Sequence, residues 1–368
     1  MTDLFDITQI NTMTLANRFV RSATWEGMAD EDGAVTPELI DTVTRLAEGG
    51  VGLIISGHTF VLPEGQAGPR QTGIYKDDLV DGLTSMTGAV HRAGGKMVAQ
   101  LAHAGTFAAE NITRTPPHVV SLFEGLAKTP RHELTISDIQ SLVSAYVQAA
   151  ERAKAAGFDG VQIHAAHGYL FSQFLSPVYN RRQDAYGGSI ENRSRALCDT
   201  VAAVRQAVGP DFPVLVKLNA WDDVEGGLTL EDAVATARLL QNAGVDAIEV
   251  SGGFLTSKTL SPSRLGINKP EKEAYFEQGA AAIKQALDIP VILVGGIRSF
   301  EKAQELVAGG VSDYISLSRP LIREPGLINR WRSGDTGPAL CSSDNLCFRP
   351  ALKGEGIYCV TEQRERSE

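Results

Sequence analysis

The eight residues Ala156-Gly157-Phe158-Asp159-Gly160-Val161-Gln162-Ile163 decide how the chain is read. They join a helix-like stretch to a short apolar run, with glycine at the junction. Glycine suits the left-handed residue just past a helix end. The run that follows is rich in Val and Ile and not strictly alternating, as in a strand buried on both faces. The phrase returns as Ala243-Gly244-Val245-Asp246-Ala247-Ile248-Glu249-Val250. Looser copies run from Gly309 to Ile315 and from Gly49 to Ile55.

Working outward, helices precede these phrases. Thr36-Pro37-Glu38 supplies an N-cap with proline at the first helical position. Leu39, Ile40, Val43 and Leu46 continue it as one apolar stripe. Thr135 to Asp138 and Thr229 to Asp232 resemble capping boxes, with Asp in place of Glu. Further buried-strand runs lie at Lys96 to Leu101, Pro213 to Leu218 and Pro290 to Val294, with a first strand near Phe19 to Ser22. Strand–helix alternation repeated about eight times predicts an α/β fold, a (β/α)8 TIM barrel, rather than an open doubly wound sheet. Two stretches depart from the repeat. Residues Ala102 to Leu134 hold Pro116-Pro117 and read as an excursion over the barrel mouth after the third strand. The tail has no clear barrel period. The expected organisation is one barrel domain over residues 1–335 and an irregular C-terminal tail over 336–368.

Composition narrows the function classes. The 368 residues are 43% hydrophobic, 7% aromatic and 21% charged, an ordinary globular balance with material for a large core. The net charge of −10 argues against nucleic acid or an anionic membrane as the main partner. No apolar run reaches the roughly 18 residues of a membrane span. MTDLFDITQI has neither a basic start nor an apolar signal core, so export is not expected. Four cysteines, three of them late in the chain, do not make a disulfide scaffold, and a cytoplasmic setting is expected.

Barrel active sites lie at the C-terminal ends of the strands. Those positions hold Ser22-Ala23-Thr24-Trp25, Ser56-Gly57-His58, Gln100, His164 with His167 and Tyr169, and Lys217 with Asn219. Ser251-Gly252-Gly253, Gly295-Gly296 and Ser318-Arg319 complete the series. Loops after the last two strands often hold phosphate, and Arg319 would add a bidentate cation to Gly295 and Gly296. Tight turns and a surface arginine are the plainer reading. His164 and His167 could be a metal pair or two satisfied core histidines. Tyr169 favours a third reading, two imidazoles on one carbonyl oxygen with a phenol as proton donor. Lys217 ends an apolar strand, and a cation there needs an anionic partner, for which a phosphate or a reduced flavin would serve. A lysine that snorkels to solvent is the plainer reading.

One longer motif is more specific. His164-Ala-Ala-His167-Gly168-Tyr169-Leu170, Phe174-Leu175-Ser176-Pro177, Asn180-Arg181-Arg182, Asp184, Tyr186-Gly187-Gly188-Ser189 and Glu191-Asn192-Arg193 together resemble the signature of the Old Yellow Enzyme family. The paired histidines resemble its bacterial branch. Asn17-Arg18, Gln100-Leu101 with His103, the Gly-Gly pair and Arg319 extend the likeness over nearly the whole barrel. The resemblance implies a (β/α)8 barrel carrying FMN and reduced by NADH or NADPH. It implies that Ser22, Ala23 and Thr24 line the flavin, that Gly57 or His58 passes close to the ring, and that Gln100 bonds its pyrimidine edge. Lys217 would face N1 and O2. Gly295, Gly296, Ser318 and Arg319 would hold the phosphate. His164 and His167 would bind the substrate oxygen, and Tyr169 would deliver a proton.

The implied reaction is ping-pong reduction of the C=C bond of an electron-poor alkene, an α,β-unsaturated carbonyl or nitro compound. The alternatives are an oxidative N-demethylase or amine dehydrogenase, and a metal-dependent phosphate-binding barrel lyase using His164 and His167. The expected partner is a small molecule; oligomeric state is left open. Lys217 stands where the family usually has arginine, so charge is kept but the fork is lost. Trp25 stands at the flavin-tuning position, Ser318 where glycine is common, and His58 where a small residue is common. Cys341-x-x-Asp344-Asn345-Leu346-Cys347 with Cys359 resembles the iron–sulfur segment of the dienoyl-CoA reductase and trimethylamine dehydrogenase relatives. Four cysteines hold the cluster there. With Asp344 at the second position, the expectation is a relic without a cluster, and an Asp-ligated cluster or another metal is the alternative.

Overall fold

The repeated phrase folds as a closed ring of parallel strands. The computed structural model describes residues 3–257 and 261–367. The ring is built from β1 (Phe19–Arg21), β2 (Leu53–Ile55), β3 (Met97–Ala102), β4 (Gly160–Ala165), β5 (Val214–Asn219), β6 (Ala247–Ser251), β7 (Val291–Val294) and β8 (Tyr314–Leu317). Each strand pairs with the next in the chain, and β8 pairs with β1 to close the barrel. Gly157 and Gly244, just before β4 and β6, have φ of +79° and +100°, the left-handed turn that the sequence pattern requires.

Helices fill the crossovers: α1 (Pro37–Glu48), α2 (Val80–Arg92), α3 (Ile136–Ala155), α4 (Ile190–Val208), α5 (Leu230–Asn242), α6 (Glu277–Ala286) and α7 (Phe300–Ala308). The Thr36 side chain accepts from Leu39 N at the start of α1. Thr135 and Asp138 form a reciprocal capping box on α3. Leu39, Val43 and Leu46 of the first stripe are buried.

Inside the ring the side chains stack in two layers, as strand alternation requires. Val20, Leu53, Val98, Leu215, Ala247, Ile292 and Tyr314 form an apolar floor. Two residues further along β3, β5, β6 and β8 come Gln100, Lys217, Glu249 and Ser316, joined by Ser22 just past β1 and by Gln162 of β4. All six are buried. Polar groups sealed at this depth must satisfy one another.

The excursion after β3 carries a 3-10 turn at Gly105–Phe107, a one-turn helix at Glu110–Thr113 and a two-residue strand pair, His118–Val119 with His132–Glu133. Its Ala104, Phe107 and Ala108 pack against Tyr169. Past β8 come α8 (Arg319–Arg323), α9 (Leu327–Arg332), α10 (Phe348–Leu352) and α11 (Val360–Glu365). The tail is tied to the barrel. Cys347, Ala351 and Ile357 cluster with Trp25, Met28 and Ile322. Arg298 donates to Ala339 O at 2.5 Å, and Arg323 pairs with Glu365 at 2.5 Å. Deleting residues 341–367 should therefore expose Trp25, shift tryptophan emission to the red and lower Tm by about 5 °C. A truncated chain with unchanged Tm and emission would show that the tail packs on nothing.

Candidate active site

A cavity of about 440 Å³ opens at the C-terminal ends of the strands, a size typical of ligand pockets. One end is lined by His58, His164, His167, Tyr169 and Lys217, and Trp25 lines the cavity beside Cys347 and Ala351 of the tail. The other end is lined by Gly296, Arg298, Ser318, Arg319, Ser343 and Asn345. Ser22, Ala23 and Thr24 run between the two.

The first end is a cluster of neutral rings. The His164 and His167 rings lie 5.2 Å apart and nearly perpendicular, and His164 lies 4.8 Å from the Tyr169 ring. Burial, then the neighbouring imidazoles and the Lys217 ammonium, hold His164 well below the usual histidine range. Burial, followed by Lys217 and His58, does the same to His167. Burial pushes His58 down to about 4 and raises the Tyr169 phenol. All three imidazoles are neutral at pH 7, and the phenol keeps its proton. The Ala166 amide donates to His164 Nδ1 at 3.2 Å. An amide N–H cannot accept, so the remaining ring proton of His164 sits on Nε2. The His167 Nε2 atom meets Ser251 Oγ at 2.7 Å, and its backbone N–H donates to Asn219 Oδ1 at 3.1 Å. Tyr169 Oη lies 3.3 Å from His58 Nε2.

Lys217 does not wait for a ligand to neutralise it. Its Nζ lies 3.1 Å from Glu249 Oε1 and donates to Ser22 Oγ at 2.7 Å. Glu249 Oε1 also accepts from Ser22 at 2.7 Å and Ser316 at 2.8 Å, and its Oε2 accepts from Gln162 at 3.0 Å. Burial alone would raise this carboxyl. Lys217, the two hydroxyls and the Gln162 amide outweigh it and hold Glu249 below the usual carboxylate range. The anionic partner that the sequence reading looked for in a phosphate or a flavin is also present within the chain: it is Glu249, on the neighbouring strand and in register with Lys217. A lone charge within the apolar phrase Ala247-Ile248-Glu249-Val250 was the available signal, of the kind that singled out Lys217.

Three expected residues lie off the cavity lining. Gln100 donates to Gln162 Oε1 at 2.7 Å, because the chain ending at Glu249 draws its amide inward. Gly57 packs against Glu26, whose buried carboxyl is pushed up to about 7. Gly295 lies behind Gly296, against Phe276. Gly296 itself has φ +72°, and a Cβ there would come within 2.5 Å of the Tyr275 ring.

Ser343 and Asn345 of the tail were not anticipated as lining residues. Asn345 Oδ1 accepts from Arg319 at 2.7 Å and from Ser263 at 2.9 Å, and its amide donates back to Ser263 O at 2.7 Å. The tail thereby helps to shape the cationic end of the cavity. Three of the four candidate cluster ligands in the tail accept local hydrogen bonds. Asp344 accepts from Ser342, Thr361 and Leu346 N, and the sulfurs of Cys341 and Cys359 accept from Ser343 N and Glu362 N. Among the described residues no three His, Cys, Asp or Glu side chains are gathered to hold a metal ion.

These residues fit a flavin mononucleotide. Arg298 and Arg319 would answer a phosphate, and Lys217 with the neutral rings would answer a planar ring system. Buried polar atoms without partners remain at Trp25 Nε1, His58 Nδ1 and Arg298 Nε, all on residues that line the cavity. No helix among the described residues is long and apolar enough to cross a membrane.

Residues 3–336 match the NADH:flavin oxidoreductase / NADH oxidase family. The chain is 39% identical over 336 residues to the NADH oxidase of Thermoanaerobacter brockii, covering 88% of this chain and 50% of the relative. It is 39% identical over 326 residues to the NADPH dehydrogenase of Geobacillus sp. (strain WCH70), covering 88% and 92%. It spans about half the length of the first of these relatives and nearly all of the second. Among solved structures, an old yellow enzyme homologue from Zymomonas mobilis superposes with a TM-score of 0.78 at 28% identity, covering 93% of this chain and 96% of that one. The chain therefore belongs to the NADH:flavin oxidoreductase / NADH oxidase family, the FMN-dependent Old Yellow Enzyme family that its β4 signature resembles.

Proposed function

We propose that the chain reduces the C=C bond of electron-poor alkenes, α,β-unsaturated carbonyl or nitro compounds, with NAD(P)H as electron donor. The observation that carries this reading is the cluster of two neutral imidazoles and one protonated phenol at the ring end of the cavity. Bound FMN would supply the hydride relay between NAD(P)H and the alkene. Arg298, Ser318 and Arg319 would bind its phosphate, and Ser22, Ala23 and Thr24 would line it. Trp25 would abut its ring.

His164 would donate through Nε2–H to the oxygen of the activating group, and His167 would donate to the same atom. Neutral donors suit this task, since they stabilise charge that develops on oxygen without giving up a proton early. Tyr169 would protonate the α-carbon. A phenol that burial holds in its protonated form gives up that proton only to a strong base such as an enolate. The Ala104, Phe107 and Ala108 side chains pack around Tyr169 and limit its contact with water.

Anaerobic NAD(P)H should bleach the bound flavin, and an enone should restore its colour. Bleaching by methylated amines but not by NAD(P)H would replace this reading with the amine dehydrogenase alternative. Tyr169→Phe keeps the ring and removes the proton. Flavin reduction should stay near normal, while reoxidation by cyclohexenone should slow about a hundredfold. Equal reoxidation rates in stopped flow would exclude Tyr169 as the acid. The two imidazoles are held below their usual range, so they stay neutral as pH falls through about 6.5. The rate of enone reduction per reduced flavin should be flat between about pH 6 and 8. An inflection near 6.5 would show that one of them protonates.

A further inference from the structure

The six polar side chains inside the barrel include one whose role the reaction leaves unassigned. Glu249 is fully buried on β6, touches neither the cavity nor solvent, and accepts from Ser22, Ser316, Gln162 and Lys217. Lys217 lines the cavity, and Glu249 stands behind it. From the geometry we infer that Glu249 is a positioning residue that lowers the reduction potential of bound flavin by offsetting the charge Lys217 presents to the ring. This rests on the proposal that FMN occupies the cavity with its ring against Lys217.

The charge accounting is direct. Hydride from NAD(P)H carries two electrons and one proton, leaves NAD(P)⁺, and gives the reduced ring one net negative charge. An unpaired Lys217 would favour that charge strongly in a site closed to water. The Lys217–Glu249 pair has no net charge, so the ring meets a dipole with its positive end nearest. The titratable groups that feel the Lys217 charge besides Glu249 are His164 and His167, both neutral, so neither duplicates the role of Glu249. Ser22 and Ser316 hold the carboxylate in place, and Ser22 also takes a bond from Lys217 itself. A lower potential makes the reduced flavin a stronger hydride donor to an alkene, at some expense to the driving force for its own reduction.

The pair also changes what removal of Lys217 does. A buried carboxylate stripped of its cation is costly and takes up a proton. In Lys217→Met both members would then be neutral, and the net charge near the ring would again be zero.

The test is a redox titration of the FMN-loaded protein against reference dyes, with loading verified by flavin released on heating. Glu249→Gln keeps the shape and most hydrogen bonds and removes the charge. Its reduced-to-oxidised equilibrium should rise at least fivefold, which is about 20 mV for a two-electron couple. Lys217→Met should lower it less than tenfold. A smaller rise or a fall in Glu249→Gln overturns the inference. If that variant does not fold, a fall of tenfold or more in Lys217→Met overturns it instead, since Lys217 would then act as a free charge. A parent protein that folds but holds no FMN would refute the proposed function, a result distinct from either potential shift.

Discussion

The buried ion pair between Lys217 and Glu249 is the constraint on which the mouth of the barrel depends. Two charges cannot be sealed inside a ring of strands unless each is paired and every remaining lone pair is met. Glu249 meets this condition through Ser22 of the β1 end, Gln162 of β4, Lys217 of β5 and Ser316 of β8. Four elements far apart in the chain are thus tied at one level. Gln100 is recruited through Gln162. The polar layer also forms the base from which His164, Lys217 and Ser251 project into the cavity two residues higher or at its edge.

Desolvation then sets the chemistry above that layer. The same low-dielectric surroundings act in opposite senses on imidazole and phenol. They keep His58, His164 and His167 uncharged and keep Tyr169 protonated. The excursion after β3 contributes by packing small side chains and Phe107 around the phenol. A long loop that looks like an interruption of the barrel repeat is in this sense part of the site. The tail plays a comparable part at the cationic end, where Asn345 ties Arg319 to Ser263. Its local hydrogen bonds, with Asp344 held by Ser342 and Thr361, suit a segment that shapes the mouth.

Much of this was legible in the sequence because it is local. The glycines at Gly49, Gly157, Gly244 and Gly309, the Thr36 and Thr135 caps and the Val- and Ile-rich runs each act within a few residues, so their pattern survives in one dimension. Repetition of that pattern about eight times leaves few closed solutions. The cluster of His164, His167 and Tyr169 was legible for the same reason: all three leave a single strand end within six positions of one another. Lys217 drew notice as a charge within an apolar run, though its partner did not.

What only the tertiary structure decided is who meets whom across the ring. Glu249 and Lys217 are far apart in sequence and become neighbours because β5 and β6 pair in parallel with those two residues in register. The inward turn of Gln100, the withdrawal of Gly57 onto Glu26 and the arrival of Asn345 beside Arg319 are likewise long-range outcomes. Hydrogen-bond competition among buried groups selects them, and such competition exists only once the strands have closed. The chain itself determined which residues could carry charge, accept protons and turn tightly. Closure of the barrel determined which of those charges are cancelled and which are left facing the cavity.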